Sequence, residues 1–175
     1  MEWQMVTQGL RKLGGRWLWV MGVAAVTVGA TGIVLATPGS GAQGTILGRA
    51  VFKETVDIKI KLRDEREVIQ APGAGETVIQ RIVLAAGGHT GWHSHPGPAI
   101  ALVVRGELTL YSGEDPSCTP HTYSAGQAFV DSGQGHVHLA RNLLNSETEV
   151  LVTYLDVPVG GGVRVDVADP GVCVF

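Results

Sequence analysis

Short extended segments, separated by turn residues, fill the chain from about residue 56 to its end. "VDIKIKL" (56–62) alternates apolar and polar residues as a half-buried strand does, and "ETVIQRIVLA" (76–85) is β-branched and mostly alternating. Five further segments of this kind follow: "AIALVVRG", "ELTLYSG", "QAFVDSG", "HVHLARNLL" and "EVLVTYLDV". No stretch after residue 42 keeps a helical period over three turns. The pattern predicts an all-β sandwich or barrel.

An uncharged apolar segment precedes these strands. Residues 17–36 read "WLWVMGVAAVTVGATGIVLA", behind the basic residues Arg11, Lys12 and Arg16. The length suffices for a helix that crosses a bilayer, and the basic flank is expected to stay in the cytoplasm. The small residues of "SGAQ" (40–43) also allow a cleaved signal peptide. Both alternatives, a secreted domain or one tethered by residues 17–36, place the rest of the chain outside the cytoplasm.

The composition after the apolar segment indicates one domain. "TPGSGAQGT" (37–45) is typical of a linker, so we divide the chain into residues 1–42, a signal peptide or anchor with its linker, and residues 43–175, a β-domain. Three of the 13 basic and one of the 16 acidic residues precede residue 43, which leaves the domain a net charge of −5. A mildly acidic domain without a basic run argues against a nucleic-acid partner.

The two cysteines of the chain, Cys118 and Cys173, both lie in the expected exported part. An oxidising compartment makes a disulfide between them the expected state, and neither belongs to a CxxC motif. The bond would hold the C-terminal tail "DPGVCVF" against the loop "GEDPSCTPH".

Two pairs of histidines are spaced i and i+2 in strand-like segments. His93 and His95 lie in "GWHSHPGP", and His136 and His138 lie in "GHVHLARN". Residues i and i+2 of a strand face the same side, so each pair can direct two imidazoles to one point. Two such pairs in one small barrel predict a metal site, for which three convergent nitrogens suffice.

The histidine segments resemble the two motifs of the cupin family. "GGHTGWHSHPGPAIALVVRG" is similar to the first motif, with Gly87, His93, His95 and Gly106 at matching positions. "GQAFVDSGQGHVHLARN" is similar to the second, with Gly126, Gly135, His138 and Asn142 in place, although glycine replaces the usual proline. The resemblance spans roughly residues 66–157 and implies a single jelly-roll barrel, here preceded by the N-terminal hydrophobic helix. It also suggests a homodimer.

The resemblance implies a ligand set that this chain only partly supplies. His93, His95 and His138 match family ligands, but the glutamate that follows the HxH pair is replaced by Ala99 or Ile100, which cannot bind metal. Either three histidines form a site with open positions, or His136 supplies a fourth nitrogen. Without a carboxylate ligand, such a centre would keep the full +2 charge of the metal and favour an anionic ligand.

Several other residues have expected roles. Trp92 should face away from His93 and pack in the core, while Gln80, Tyr111 and Tyr154 are candidates for the barrel interior. The resemblance implies that Asn142 braces the backbone beside the site.

These features predict an exported metalloprotein with one divalent transition metal, iron, manganese, zinc, copper or nickel. Its function would be that of a small-molecule dioxygenase or other oxidoreductase. The alternative is a non-catalytic extracytoplasmic module that binds a small ligand, with a structural metal or none. The expected contact with a membrane is through the N-terminal segment alone.

Overall fold

The computed structural model of the chain describes residues 36–62 and 68–175. They form strands and loops, and no α-helix occurs among them. The strands are β1 (Ser40–Val51), β2 (Ile58–Lys61), β3 (Val68–Ala71), β4 (Glu76–His89), β5 (His93–Ser94), β6 (Ala99–Arg105), β7 (Glu107–Ser112), β8 (His121–Ser124), β9 (Ala128–Asp131), β10 (His138–Arg141), β11 (Thr148–Val157) and β12 (Val165–Asp166). The all-β prediction is confirmed.

Ten strands form a nearly closed, jelly-roll-like barrel in two halves. One half has the antiparallel order β1-β4-β11-β6-β9, and the other has the order β12-β5-β10-β7-β8. The halves meet where Arg141 of β10 pairs with His89 of β4. Strands β2 and β3 form a separate hairpin-like pair. The chain also crosses between the halves at Gly106, whose φ of +76° allows the sharp corner between β6 and β7.

The interior of the barrel follows from strand alternation. Along β6, Ala99, Ala101 and Val103 are buried, whereas Ile100 and Leu102 between them face outward. The inward residues nearest the start of β6 are alanines, and their small side chains leave space at one end of the barrel. In the rest of the barrel, larger residues such as Leu84 and Val150 fill the core.

The segment expected to be a linker is part of the barrel. Residues from Ser40 onward form β1 and pair with β4 along its length. Before that strand, Ala36 bridges to Ala168 and the Thr37 amide donates to the Val167 carbonyl. Gly and Ser residues are compatible with this strand because it lies on the barrel surface, where backbone hydrogen bonds rather than side-chain burial hold it. The folded unit therefore begins before residue 43.

A second cluster packs beneath β10. Trp92 is 1% exposed and packs with Tyr111, Leu139 and Cys173. It therefore lies in the core, as expected from the sequence. Cys118 and Cys173 are joined by the expected disulfide. The bond attaches the C-terminal tail to the loop after β7, so the back of β10 is covered.

The predicted hydrophobic helix at residues 17–36 lies outside the described residues, except for Ala36. Among residues 36–62 and 68–175, no helix has the length and apolar character needed to cross a membrane.

Candidate metal centre

Three histidines converge at the open end of the barrel. His93 of β5 and His138 of β10 are directly paired across the two strands, and His95 follows just after β5 ends. Their ring centroids lie 4.3–5.1 Å apart. One nitrogen from each ring lies within 4.8 Å of the others, and all three residues are buried. The structure thus brings together the three histidines that match the cupin motifs.

Hydrogen bonds fix the orientation of two of these rings. In each, the bond is made by Nδ1, which we call the outer nitrogen. Nδ1 of His93 donates to the Gly91 carbonyl at 2.9 Å, and Nδ1 of His95 donates to the Val163 carbonyl at 2.7 Å. A carbonyl only accepts, so both protons sit on Nδ1 and each Nε2 keeps its lone pair. This is the arrangement that metal-binding histidines adopt.

Burial keeps the three imidazoles neutral. It lowers the pKa of His93 and of His95, and it lowers the pKa of His138 to about 4. For His93, nearby positive charge on His138 and Arg164 acts in the same direction, while Asp131 partly opposes the shift at His138. Neutral imidazole is the form that binds metals, so the site is ready to do so at neutral pH.

His136 does not join His93 and His95. It precedes β10, so strand alternation does not place it beside His138, and its side chain is 32% exposed. Its Nδ1 donates to Oδ1 of Asp131 at 2.7 Å, and its Nε2 lies 3.4 Å from the Ser112 hydroxyl. It belongs instead to a second group, in which Asp131, His136 and His138 each offer a ligand atom.

Asp131 is a site residue that neither histidine motif indicates. It ends β9, is 7% exposed, and pairs across the strands with Ala99, one of the positions where the motif would place a glutamate. Burial raises the pKa of its carboxyl, but the hydrogen bond from His136 and the neighbouring imidazoles outweigh this effect, and the pKa lies below its usual range. An acidic residue at the end of the apolar strand "AFVD" was the available signal.

The three histidines and Asp131 line a cavity of about 50 Å³. The rest of its wall is mostly apolar and includes Ile82, Leu84, Leu108, Phe129, Val150 and Val152. A space of this size holds an ion with a few water-sized ligands.

Two larger openings border different members of this group of residues. One, of about 330 Å³, includes His93, His95, Gln80, Tyr154 and Arg164. The other, of about 430 Å³, borders Asp131, His136 and His138. A small molecule can therefore approach the site from the outside.

Two of the candidates for the barrel interior form a polar edge of the first opening. The Tyr154 hydroxyl donates to Oε1 of Gln80 at 3.0 Å, and the Tyr154 ring lies 4.9 Å from that of His95. Burial raises the pKa of Tyr154, so its hydroxyl remains a proton donor. Tyr111 packs instead against Phe175 in the cluster beneath β10.

Asn142 braces the backbone, as the resemblance implied. It is fully buried, and its amide nitrogen contacts the carbonyl oxygens of Leu84, Ala85 and Ser146. Its Oδ1 accepts the Leu144 amide. These bonds tie the end of β10 to β4, at the place where the halves of the barrel meet.

Comparison with known families agrees with this architecture. Residues 80–154 match the model of the cupin domain. The match includes all three convergent histidines and Asp131, so this part of the chain is similar to a cupin domain.

Solved structures that resemble the chain include several cupins. A cupin domain from Bordetella pertussis Tohama I is 16% identical, with 69% of this chain and 97% of that chain covered and a TM-score of 0.44. The polyketide cyclase RemF from Streptomyces resistomycificus is 13% identical, with 78% and 81% covered and a TM-score of 0.48. An oxalate oxidase is 25% identical, with 46% and 41% covered and a TM-score of 0.40. The chain has no significant match among curated proteins.

Proposed function

We propose that this protein is a mononuclear metalloprotein in which His93, His95 and His138 hold one divalent transition metal. The observation that carries the proposal is the convergence of three buried, neutral imidazoles, two of which have their outer nitrogens bound to backbone carbonyls. Two buried polar atoms in the described residues, Oδ2 of Asp131 and Nδ1 of His138, also lack hydrogen-bond partners. Imidazole nitrogens and carboxylate oxygens are ligands that suit iron, manganese, zinc, copper or nickel.

The chemistry that we propose is oxidation of a small organic anion. When bound, the metal would supply a Lewis acid with open positions for the substrate and for oxygen. The apolar wall of the cavity excludes bulk water from those positions. At one opening, the Tyr154 hydroxyl donates to Gln80 and the Arg164 guanidinium pairs with Asp166, so this edge presents polar groups to the substrate. The charge of the bound metal would attract the anionic end.

The alternative function is a non-catalytic binding module, with a structural metal or none. The small volume of the inner cavity favours it, since about 50 Å³ accommodates an ion and its water ligands but little else. A structural zinc, however, normally has four protein ligands, whereas three histidines converge within the described part of the chain.

Metal content tests the proposal. We expect the full-length protein, purified without an affinity tag, to contain about one metal ion per chain by mass spectrometry. His93→Ala/His138→Ala should lose nearly all of it because only one strong ligand remains, whereas His121→Ala at the exposed start of β8 should keep it.

The identity of the metal separates the two functions. Iron, manganese, copper or nickel would support the oxidoreductase, and oxygen uptake with small organic anions would follow. Tightly held zinc without turnover would support the binding module. If the wild-type protein neither retains nor takes up a metal, the metalloprotein proposal is wrong.

We further propose that the domain lies outside the cytoplasm and remains tethered by residues 17–36. The disulfide suits an oxidising compartment. Cleavage after Ala42 would remove the start of β1, together with the pairings of Ala36 and Thr37 to the segment after β12. The tethered alternative keeps these contacts.

The mass of the mature chain tests the tether. We expect the protein in the membrane fraction to retain residues 1–42, with the domain accessible to protease from the periplasmic side. A mature chain that starts at Gln43 and is found in the soluble fraction would show that the signal is cleaved.

A further inference from the structure

The carboxylate of Asp131 lies among three imidazoles. Its Oδ1 accepts from His136, whereas its Oδ2 has no hydrogen bond within the part of the chain that the structure describes. Oδ2 lies 3.5 Å from Nδ1 of His138 and 3.8 Å from Nε2 of His95. Oδ2 of Asp131 thus lies near two ring nitrogens: the outer nitrogen Nδ1 of His138, and Nε2 of His95, which would bind the metal.

A buried carboxylate needs a compensating positive charge. The side chain of Asp131 is 7% exposed, and its ion-pair contacts among the described residues are to histidines alone. Burying a charge without a partner is costly, and neutral imidazoles compensate it only in part. A cation held by His93, His95 and His138 would lie beside Oδ2 and balance it.

His138 provides the second observation. The outer nitrogens of His93 and His95 have carbonyl acceptors, but Nδ1 of His138 is buried without one. Asp131 Oδ2 is the acceptor placed to complete the set, since a shift of about half an ångström would bring the 3.5 Å contact to hydrogen-bond length. Carboxylates commonly orient metal-binding histidines in this way.

We propose that Asp131 is the anionic positioning residue of the metal centre, holding His138 through Nδ1 and placing one negative charge beside the ion. This inference rests on the proposed function. It changes the expected charge of the centre, because a divalent ion with three neutral histidines and one adjacent carboxylate has a net charge of +1 rather than +2. The substrate class that balances this charge is a monoanion, such as a monocarboxylate or a thiolate.

Metal affinity is the first test. In chelator competition with cobalt(II), we expect Asp131→Asn in the full-length protein to bind about 10- to 100-fold more weakly than the wild type, as is usual when such an orienting partner is lost. Asparagine keeps an acceptor for His136, so the metal-free variant should melt at or above the wild-type temperature. Asp57→Asn, the same substitution beside β2, where Oδ1 accepts the Gly73 amide, should change neither value.

Anion binding is the second test, and it reports charge rather than structure. Azide added to the cobalt(II) protein should bind Asp131→Asn roughly tenfold more tightly, because a centre of net charge +2 attracts a monoanion more strongly than one of +1. Asp57→Asn leaves the Asp131 carboxylate in place and should bind azide as the wild type does. The visible spectrum of cobalt(II) gives both affinities.

The outcomes separate this inference from the proposed function. If the wild-type protein does not bind cobalt(II), the proposed metal site fails. If the wild type binds it and Asp131→Asn binds cobalt(II) and azide with unchanged affinities, the metal site stands and the role of Asp131 is wrong. A variant with weaker metal binding but unchanged azide affinity would also overturn the assignment of charge.

Discussion

Replacing Cys173 with serine is expected to lower the free energy of unfolding by about 4 kcal/mol. The disulfide joins residues 55 positions apart, so its loss lets the unfolded chain explore many more conformations. Cys173 is also buried against Trp92 and Tyr111, which the tail covers. Urea unfolding of the metal-free protein measures the effect without stabilisation by a bound ion.

Two further variants show whether the bond itself is responsible. Cys118→Ser breaks the same bond and should cost about as much as Cys173→Ser, and the double variant should cost no more than either, because the effects of one shared interaction do not add. Reduction of the wild-type protein should reproduce the loss. A change below about 1 kcal/mol, or a double variant that loses the sum of the two, would contradict this account.

The fold was largely predictable because alternation is a local property. The pattern of β6 follows directly from which face of the strand meets the core, and Gly106 marks the corner after it. β1 was missed because its residues are mostly exposed and its sequence is rich in glycine and small residues. What holds it is pairing with β4, a contact between segments far apart in the chain that no local pattern reveals.

The candidate metal site was predictable to the extent that it repeats the motif. The histidines at 93, 95 and 138 were found from their spacing and their match to the cupin segments. Asp131 was not, because it reaches the site through the register of β9 against β6, in which it lies beside Ala99. The position of His136 was also undetermined, since the chain turns just before β10 and the alternation expected for a strand does not apply.

The metal-free protein is expected to lose at least about 3 kcal/mol of stability as the pH falls from 6.5 to 5. Burial holds the pKa of His138 at about 4 and also lowers those of His93 and His95, whereas all three histidines titrate near 6.5 in the unfolded chain. Below that pH the unfolded chain takes up protons that the folded chain does not. The stabilisation is therefore fully present above pH 6.5 and is lost on acidification.

The charged groups around these histidines leave the direction of the effect unchanged. Arg164 lowers the pKa of all three histidines further, and Asp131 raises those of His95 and His138 without offsetting their burial. Urea unfolding in the presence of a chelator, repeated at several pH values, gives the slope of the unfolding free energy against pH. His93→Gln removes one of the three groups and should reduce the slope by roughly a third to a half.

The same burial that keeps the imidazoles available to a metal makes the metal-free barrel sensitive to acid. A bound ion competes with protons for the same nitrogens, so its stabilisation should be greatest near neutral pH and should disappear as the histidines become protonated. A stability that is flat from pH 6.5 to 5, with or without His93, would mean that these rings are protonated in the folded state. The histidines would then not form the neutral ligand set on which the proposed metal centre depends.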